Sequence, residues 1–410
     1  MKKYAYVGAL GLLSIITTEF GVIGVLPQIA SHYRISIDQA SWLLSGFALV
    51  IAFLGPLMTV LTVRMDKKKV MLLALALFVI SSFISVSLPP FWLLFTLRLI
   101  SALLQPVYIA NALSIAVRFS PEDKHSQMMS IVFSGITIAS FTTIPLATYL
   151  TNGYGLEAIF LIQGIVSSIA FMAIYIFLPC VPGDTKVFNT KELVVFRDLS
   201  FIRSALVNLF ILAMWFSVYS YFADYLSKEK NMSGLMVGNM VLLFGLIGVV
   251  AMYIGGKVLS KGVVYSNVFY IMGAALIALL LYISGSESIL TVLIVSMWSL
   301  FYTPVYLNAT AFLQKTTKLP FELGSSLSTS LGNLGIAVGT FVGGKVIAYY
   351  GLQFLPLAML IFALLSLVLI YWSQTVVKTM HFSAFSFQLL KMFTFDIWNI
   401  NEPEDIVYHV

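Results

Sequence analysis

The sequence predicts an all-α polytopic membrane protein whose twelve transmembrane helices fall into two six-helix pseudo-repeats. Three observations carry that prediction: twelve successive apolar stretches, a one-sided distribution of Lys and Arg between them, and a set of motifs in the first half that recurs in the second. About twenty apolar residues in a helix span the ~30 Å hydrocarbon core, and in lipid only helices and closed barrels satisfy every backbone N–H and C=O. Barrel strands would alternate apolar and polar residues, and these stretches do not. Of 410 residues, 60% are hydrophobic and 10% are charged, against roughly 25% charged in soluble domains. A soluble enzyme is a poor fit to that composition.

Taken in order, the spans are 4–27, 41–63, 70–89, 91–117, 127–150, 157–179, 203–226, 235–259, 266–284, 288–314, 323–347 and 352–373. The first follows Met1-Lys2-Lys3 and runs to Pro27, longer than the ~7–15 residues of a signal-peptide core, so it is read as a retained span. The second closes on the basic run Arg64 to Lys69. The fourth carries Arg98 and Pro106, the fifth Gly135 and Pro145, the tenth Pro304, and the eleventh a series of glycines. Residues 1–179 form one half and 203–373 the other. Between them, 180–202 reads as a cytoplasmic linker with Pro182, Gly183, Asp184 and a charged stretch from Glu192 to Arg203. The tail, 374–410, is rich in Phe from His381 to Ile400 and reads as a cytoplasmic segment lying in the membrane interface.

Orientation follows from the charges. One set of alternate loops holds Lys2 and Lys3, Arg64 to Lys69, Arg118 and Lys124, Lys186 to Arg203, Lys261, Lys315 and Lys318, then Lys378 and Lys391. The other set holds little beyond Arg34, Lys228 and Lys230. Lys and Arg collect in cytoplasmic loops, so both termini and the linker are placed in the cytoplasm. The net charge of +6 is then a matter of topology, and no nucleic-acid partner is implied. The single cysteine, Cys180, and the scattered His32, His125, His381 and His409 offer no metal site or disulfide.

The halves repeat. Pro106-Val107-Tyr108-Ile109-Ala110-Asn111 in span four matches Pro304-Val305-Tyr306-Leu307-Asn308 in span ten. Tyr154-Gly155-Leu156 after span five matches Tyr350-Gly351-Leu352 after span eleven, at nearly the same separation. Parallel duplication of this kind belongs to transporters whose halves are related by an axis along the membrane normal.

These loops and spans resemble the major facilitator superfamily, and more narrowly its twelve-span drug–proton antiporter branch with the bacterial sugar- and purine-efflux-like members. The resemblance rests on Thr17 to Ala30 in span one, with Glu19, Phe20 and a Leu26-Pro27-Gln28-Ile29-Ala30 ending, and on Gly55-Pro56 with Arg64 to Lys69. It also rests on Arg98 to Ala102 in span four, Pro145 in span five, and Asn333, Gly335, Gly339, Gly343 and Gly344 in span eleven. Val63 stands where the family pattern has Asp, Thr143 and Ala147 where it has Gly, and Leu156-Glu157 where it has Trp-Arg. The resemblance implies a bacterial cytoplasmic (inner) membrane protein that acts as a monomer.

Two charges lie deep in the spans, Glu19 and Arg98. At 1.5 Å per residue both sit ~10–12 Å below the outer boundary, so a direct or water-bridged pair is geometrically possible. Ionisable groups at that depth default to a functional reading. A carboxylate that burial drives towards the neutral form and a cation draws back can take and release a coupling proton; the alternative is a structural ion pair. The uncharged set Gln105, Asn111, Gln163, Asn239, Tyr302, Asn308 and Asn333 supplies candidates for a substrate cavity, the alternative being helix-to-helix hydrogen bonds. Trp215, Tyr219, Trp298 and Tyr306 are candidates for stacking on a flat solute or for lipid-facing bulk. Gly335, Gly339 and Gly343 share one helix face and are expected to press on a neighbouring helix. No nucleotide loop, Ser/His/Asp set or paired-carboxylate site is present, and no cofactor is implied. The expected function is a proton-coupled exporter of a small organic solute or drug by alternating access. The alternatives are a facilitator or importer of a small metabolite, and a non-transporting sensor or assembly protein with a transporter fold.

Overall fold

The computed structural model describes residues 2–22, 25–35, 37–183, 198–286, 288–317 and 319–375, and among them every regular element is helical. Most of the 180–202 linker and nearly all of the 374–410 tail lie outside the described residues. Residues 1–370 form one compact unit, and the chain from 371 onward forms another.

Sixteen α-helices make twelve spans, because every third span is interrupted. Span one is α1 (Lys2–Gly21) followed by α2 (Leu26–Tyr33), and span four is α5 (Phe91–Ala102) followed by α6 (Gln105–Arg118). Span seven is α9 (Leu199–Tyr219) with α10 (Phe222–Lys228), and span ten is α13 (Ser288–Tyr302) with α14 (Val305–Thr316). The uninterrupted spans are α3 (Ile37–Thr62), α4 (Lys67–Val86), α7 (His125–Tyr154) and α8 (Glu157–Phe177) in the first half. Those of the second half are α11 (Gly234–Ser260), α12 (Val263–Ile283), α15 (Phe321–Tyr350) and α16 (Leu355–Thr375). Ten of these spans are long and apolar enough on their own terms to cross a membrane; α1 and α7 complete the twelve. The interruptions fall at matching places in the two halves, which is the duplication expressed in the backbone.

Two breaks have a covalent cause. Pro106 and Pro304 have no N–H to donate, so the carbonyls one turn earlier lose their partners and the helix restarts. The break at Ser220 and Tyr221 lacks a proline. It is fastened instead to α15, where the Tyr221 hydroxyl donates to the Thr340 carbonyl at 2.9 Å and Ser220 Oγ lies 2.7 Å from Thr340 Oγ1. Helix α9 begins at Leu199, where the Asp198 side chain accepts from the Ser200 N–H at 3.0 Å. Asp66 caps α4 in the same way, accepting from the Lys69 N–H at 3.0 Å.

Each half has its own apolar core, one gathered around Phe47, Phe78 and Tyr108, the other around Trp215, Trp298 and Phe312. Within the halves, equivalent helices pack together: α1 on α7, and α9 on α15. Between the halves, α3 lies on α15 and α7 on α11, again an equivalent pair. The glycines of α15 face α9 so closely that a Cβ at Gly335, Gly339 or Gly343 would lie 2.3, 2.4 and 2.3 Å from the carbonyl oxygens of Leu209, Ala213 and Ser217. On the equivalent seam Gly135 of α7 stands alone, its missing Cβ 2.2 Å from the Ala9 carbonyl.

Candidate functional site

A small opening lies between the halves, lined by Glu19, Gln105, Tyr306, Thr310, Thr329 and Asn333 together with apolar side chains. It adjoins a second small opening that is mostly aromatic, with Phe141, Phe216, Tyr219, Phe244 and Tyr302 in its wall. Phe20, Ile136 and Tyr306 belong to both. The broken helices supply about half of this lining, α1 and α6 from the first half and α9, α13 and α14 from the second, and α7, α11 and α15 supply nearly all the rest.

Glu19 is buried two residues before the end of α1. Its Oε2 accepts from Gln105 Nε2 at 2.7 Å. Gln105 is the first residue of α6, placed there by the break that Pro106 enforces. Arg98 is also buried, but none of its hydrogen bonds reaches the carboxylate. Its Nη1 donates to the Thr18 carbonyl at 3.1 Å, Nη2 to the Glu19 carbonyl at 3.3 Å, and Nε to the Leu43 carbonyl at 3.3 Å. The guanidinium carbon sits 5.3 Å from the centre of the Phe47 ring. The end of α1 leaves carbonyls without intrahelical partners, and hydrocarbon offers them none. Arg98 supplies those donors and places positive charge at a helix C-terminus, where it is favoured. The expected pair therefore meets through main-chain oxygens of α1, while the carboxylate is held by an amide.

The remaining polar candidates separate into three groups. Asn333 and Tyr302 line the openings; Asn333 Nδ2 donates to the Thr329 carbonyl at 3.0 Å. Asn308 and Gln163 occupy helix-to-helix positions. Asn308 Oδ1 accepts from Ser266 Oγ at 2.5 Å, its Nδ2 donates to Pro304 O at 2.9 Å, and its own carbonyl accepts from Asn267 at 3.2 Å, which ties α14 to α12. Gln163 lies against Gly21, whose Cβ would fall 2.5 Å from Gln163 Nε2. Asn111 is buried in α6 outside both openings, and Asn239 is exposed near the start of α11.

Of the aromatic candidates, Trp215 and Trp298 are buried and Tyr219 and Tyr306 half-buried; the first three belong to one ring cluster in the second half, while Tyr306 lines both openings. Tyr219 stacks on Tyr302 at 4.6 Å with 27° between planes, and Trp215 meets Tyr302 edge-on at 5.4 Å. Phe216, Phe222 and Phe244, none of which stands out in a sequence this rich in Phe, complete it.

A second polar site joins the halves at the end of the bundle that carries Lys2 and the basic loops. Lys67, the first residue of α4, forms a buried ion pair with Glu322, in the first turn of α15. Ser114 Oγ of α6 donates to the same carboxylate oxygen at 2.5 Å. Further along the α3–α15 contact, Thr59 Oγ1 donates to Ser326 Oγ at 2.7 Å and Ser330 Oγ to the Ile51 carbonyl at 2.9 Å. Ser330 is nine residues into α15, about 14 Å from its start, so these bonds close the basic half of the seam. The chain entering the linker is fastened here as well. The Lys67 N–H donates to the Val181 carbonyl at 2.8 Å, and a Cβ on Gly183 would lie 2.5 Å from the carbonyl oxygens of Val63 and Met65. Sequence reading missed Glu322 because it stands one residue outside the span assigned to it and 255 residues from its partner. A carboxylate directly after Pro320-Phe321, at the mouth of a span whose other charge is Lys345 near the far end, is the available signal.

The family model "Major Facilitator Superfamily" matches residues 8–322. The probable sugar efflux transporter of Pasteurella multocida (strain Pm70) is 23% identical over 353 residues, covering 86% of this chain and 87% of that one. The inner membrane transport protein YdhP of Escherichia coli (strain K12) is 25% identical over 366 residues, covering 89% and 94%. Two solved structures share the architecture. The human organic anion transporter MFSD10 superposes with a TM-score of 0.73 at 17% identity over 90% of this chain and 99% of its own. The Escherichia coli fucose:proton symporter FucP gives 0.71 at 14% identity over 92% and 98%.

Proposed function

The chain belongs to the major facilitator superfamily and is a multi-pass membrane transporter of small solutes, not an enzyme; from that premise we propose that it is a proton-coupled exporter in a bacterial inner membrane, with Glu19 as its proton site. The observation that carries this reading is the placement of Glu19: a buried carboxylate on an interrupted helix, held by Gln105, at the wall of an opening shared by both halves. The names of relatives such as the Pasteurella sugar efflux transporter support outward transport. The Lys and Arg asymmetry places the basic end in the cytoplasm. In that orientation the Lys67–Glu322 pair, with Ser114, closes the cytoplasmic side of the central openings.

The cycle follows from these placements. Glu19 takes a proton from the outer water, the halves rock about the central openings, and the proton leaves to the cytoplasm. The solute makes the opposite passage. Proton entry down a membrane potential supplies ~2.3 kcal/mol per 100 mV. The polar wall orients the solute while the Tyr219–Tyr302 stack covers its apolar face.

Glu19→Gln keeps size and hydrogen bonding and removes titration. In vesicles with an imposed pH difference, the variant is expected to lose uphill transport by at least about tenfold, a coupling loss within the 1–3 kcal/mol usual between linked sites. Downhill counterflow should persist. The solute for this assay comes from a ligand-stabilisation screen over drugs, nucleobases, sugars and amino acids. Undiminished uphill transport by the folded variant would remove Glu19 from the mechanism. A wild-type protein that transports downhill but never uphill would favour a facilitator, and one that shows no counterflow at all would favour a sensor.

A further inference from the structure

Gln105 has one hydrogen-bonding position to spare. The residue is 2% exposed, its Nε2 donates to Glu19 Oε2 at 2.7 Å, and its Oε1 is buried with no partner. Leaving a buried acceptor unmet costs about 1–3 kcal/mol. Thr310 and Asn333, contributed by the other half, face Glu19 and Gln105 across the same opening. The oxygen has no accessible surface in this arrangement, so a solute meets it only when the opening widens.

A side-chain amide has two faces, an acceptor oxygen and a donor NH₂, exchanged by a half-turn of its last torsion. An ionised Glu19 can only accept, so it holds the NH₂ of Gln105 and leaves Oε1 buried without a partner. A protonated Glu19 has an O–H to donate, and the acceptor beside it is the same amide. Once the O–H bonds to Oε1, the NH₂ is the face left for the opening. The ionisable groups facing Glu19 are Arg98 from α5 and Tyr306 from α14. Arg98 spends its donors on the carbonyls of Thr18, Glu19 and Leu43. The side chains that α7, α9 and α15 contribute to this opening are uncharged. Gln105 is therefore the group within hydrogen-bond reach of the carboxylate whose polarity can follow its charge.

We propose that Gln105 is a polarity switch, presenting an acceptor to the opening when Glu19 is ionised and a donor when Glu19 is protonated, and that the solute carries a hydroxyl or N–H donor on the edge that meets it. This inference rests on the reading of Glu19 as the proton site. The proton arrives from water on one face, bonds to the Glu19 carboxylate, and returns to water on the other; no other covalent bond changes. With Oε1 presented, the solute's donor is met. With NH₂ presented, two donors oppose each other and the solute leaves. Proton and solute thus exclude each other, as antiport requires, without competing for the same atoms.

Infrared difference spectroscopy of the purified full-length protein, with its glutamine side-chain carbonyls carbon-13 labelled, tests this without knowledge of the solute. Lowering the pH should raise a protonated-carboxyl band that is absent in Glu19→Gln. A glutamine amide band should shift over the same pH interval, and that shift should be absent in Gln105→Met. A carboxyl band that titrates while the labelled amide bands stay fixed would overturn the switch and leave Glu19 as proton site. No carboxyl band at any pH would overturn both. In vesicles, Gln105→Met is expected to raise the solute KM in counterflow at least about fivefold, at the lower limit of ordinary coupling, and to remove the dependence of that KM on pH. A KM that is unchanged, or that keeps the wild-type pH dependence, would make Gln105 a structural residue only.

Discussion

The two halves descend from one pattern and have divided its labour. In the first half the interrupted spans bring charge and amide together: Glu19, Arg98 and Gln105 meet where α1 ends and α6 begins. In the second half the residues that match Glu19, Arg98 and Gln105 are Ser217, Ser296 and Thr303, and the breaks are flanked by rings instead, with Tyr219 at the end of α9 and Tyr302 at the end of α13 stacked on each other. The seams differ in the same sense. α1 is joined to α7 by one close glycine and a Thr143–Thr17 hydrogen bond at 3.1 Å, and to α8 by a Ser14–Ser167 bond at 2.8 Å. α9 is joined to α15 by three glycines in register, backbone against backbone. A duplicated scaffold can therefore keep its breaks and contacts while one copy gathers charge and amide at its breaks and the other gathers rings.

The strongest way to break this contrast is to obstruct the glycine seam. A leucine side chain at Gly339 would begin 2.4 Å from the Ala213 carbonyl, main chain that cannot turn aside. Overpacking costs typically 1–3 kcal/mol and more where backbone must move, so Gly339→Leu should reach the upper end. The expected outcome is a sharp fall in detergent-stable monodisperse protein; unchanged yield and melting temperature would contradict the packing. Tyr302→Leu probes the aromatic wall. An aromatic pair is worth ≈ 0.5–1.5 kcal/mol beyond its buried area, so KM in counterflow should rise roughly two- to tenfold with the pH dependence of transport unchanged. A change in pH dependence instead would place part of the proton machinery in the second half. The mildest test is Thr143→Val on the polar seam. It removes one buried hydrogen bond worth about 1 kcal/mol from a helix pair that also packs on apolar side chains. A drop in melting temperature of a few degrees, with uphill transport retained, is the expected result.

The spans, their order and the duplication were legible in the sequence because hydrocarbon imposes length and apolarity on every crossing, and basic loops mark one side. The breaks were less legible. Span one reads as a single run from 4 to 27, yet α1 stops at Gly21 and α2 starts at Leu26. The sequence leaves a direct or water-bridged Glu19–Arg98 pair possible from depth alone; in the structure the Arg98 hydrogen bonds go to the carbonyls of Thr18, Glu19 and Leu43. Depth alone could bring Glu19, Arg98 and Gln105 to one level, but sequence could not say which donor meets the carboxylate, since a turn of rotation decides it. Asn308 and Gln163 belong to the same class of ambiguity: an amide inside a span looks alike whether it faces a cavity or another helix. The Lys67–Glu322 pair was hidden for a different reason. Its members come from different halves and lie 255 residues apart in the chain.

The attachment of Val181 and Gly183 to the loop ahead of α4 bears on where the polypeptide can be severed. Because the Lys67 N–H donates to Val181 and the missing side chain of Gly183 gives the main chain of Val63 and Met65 its room, these residues belong to the first half although they lie past its last helix. Two fragments expressed separately should reassemble when the first retains Gly183. A shorter first fragment, ending before Cys180, would carry a Lys67 whose main chain has lost its anchor. Among the described residues, the contacts of the first half thus reach Gly183, a few residues beyond its last turn of helix.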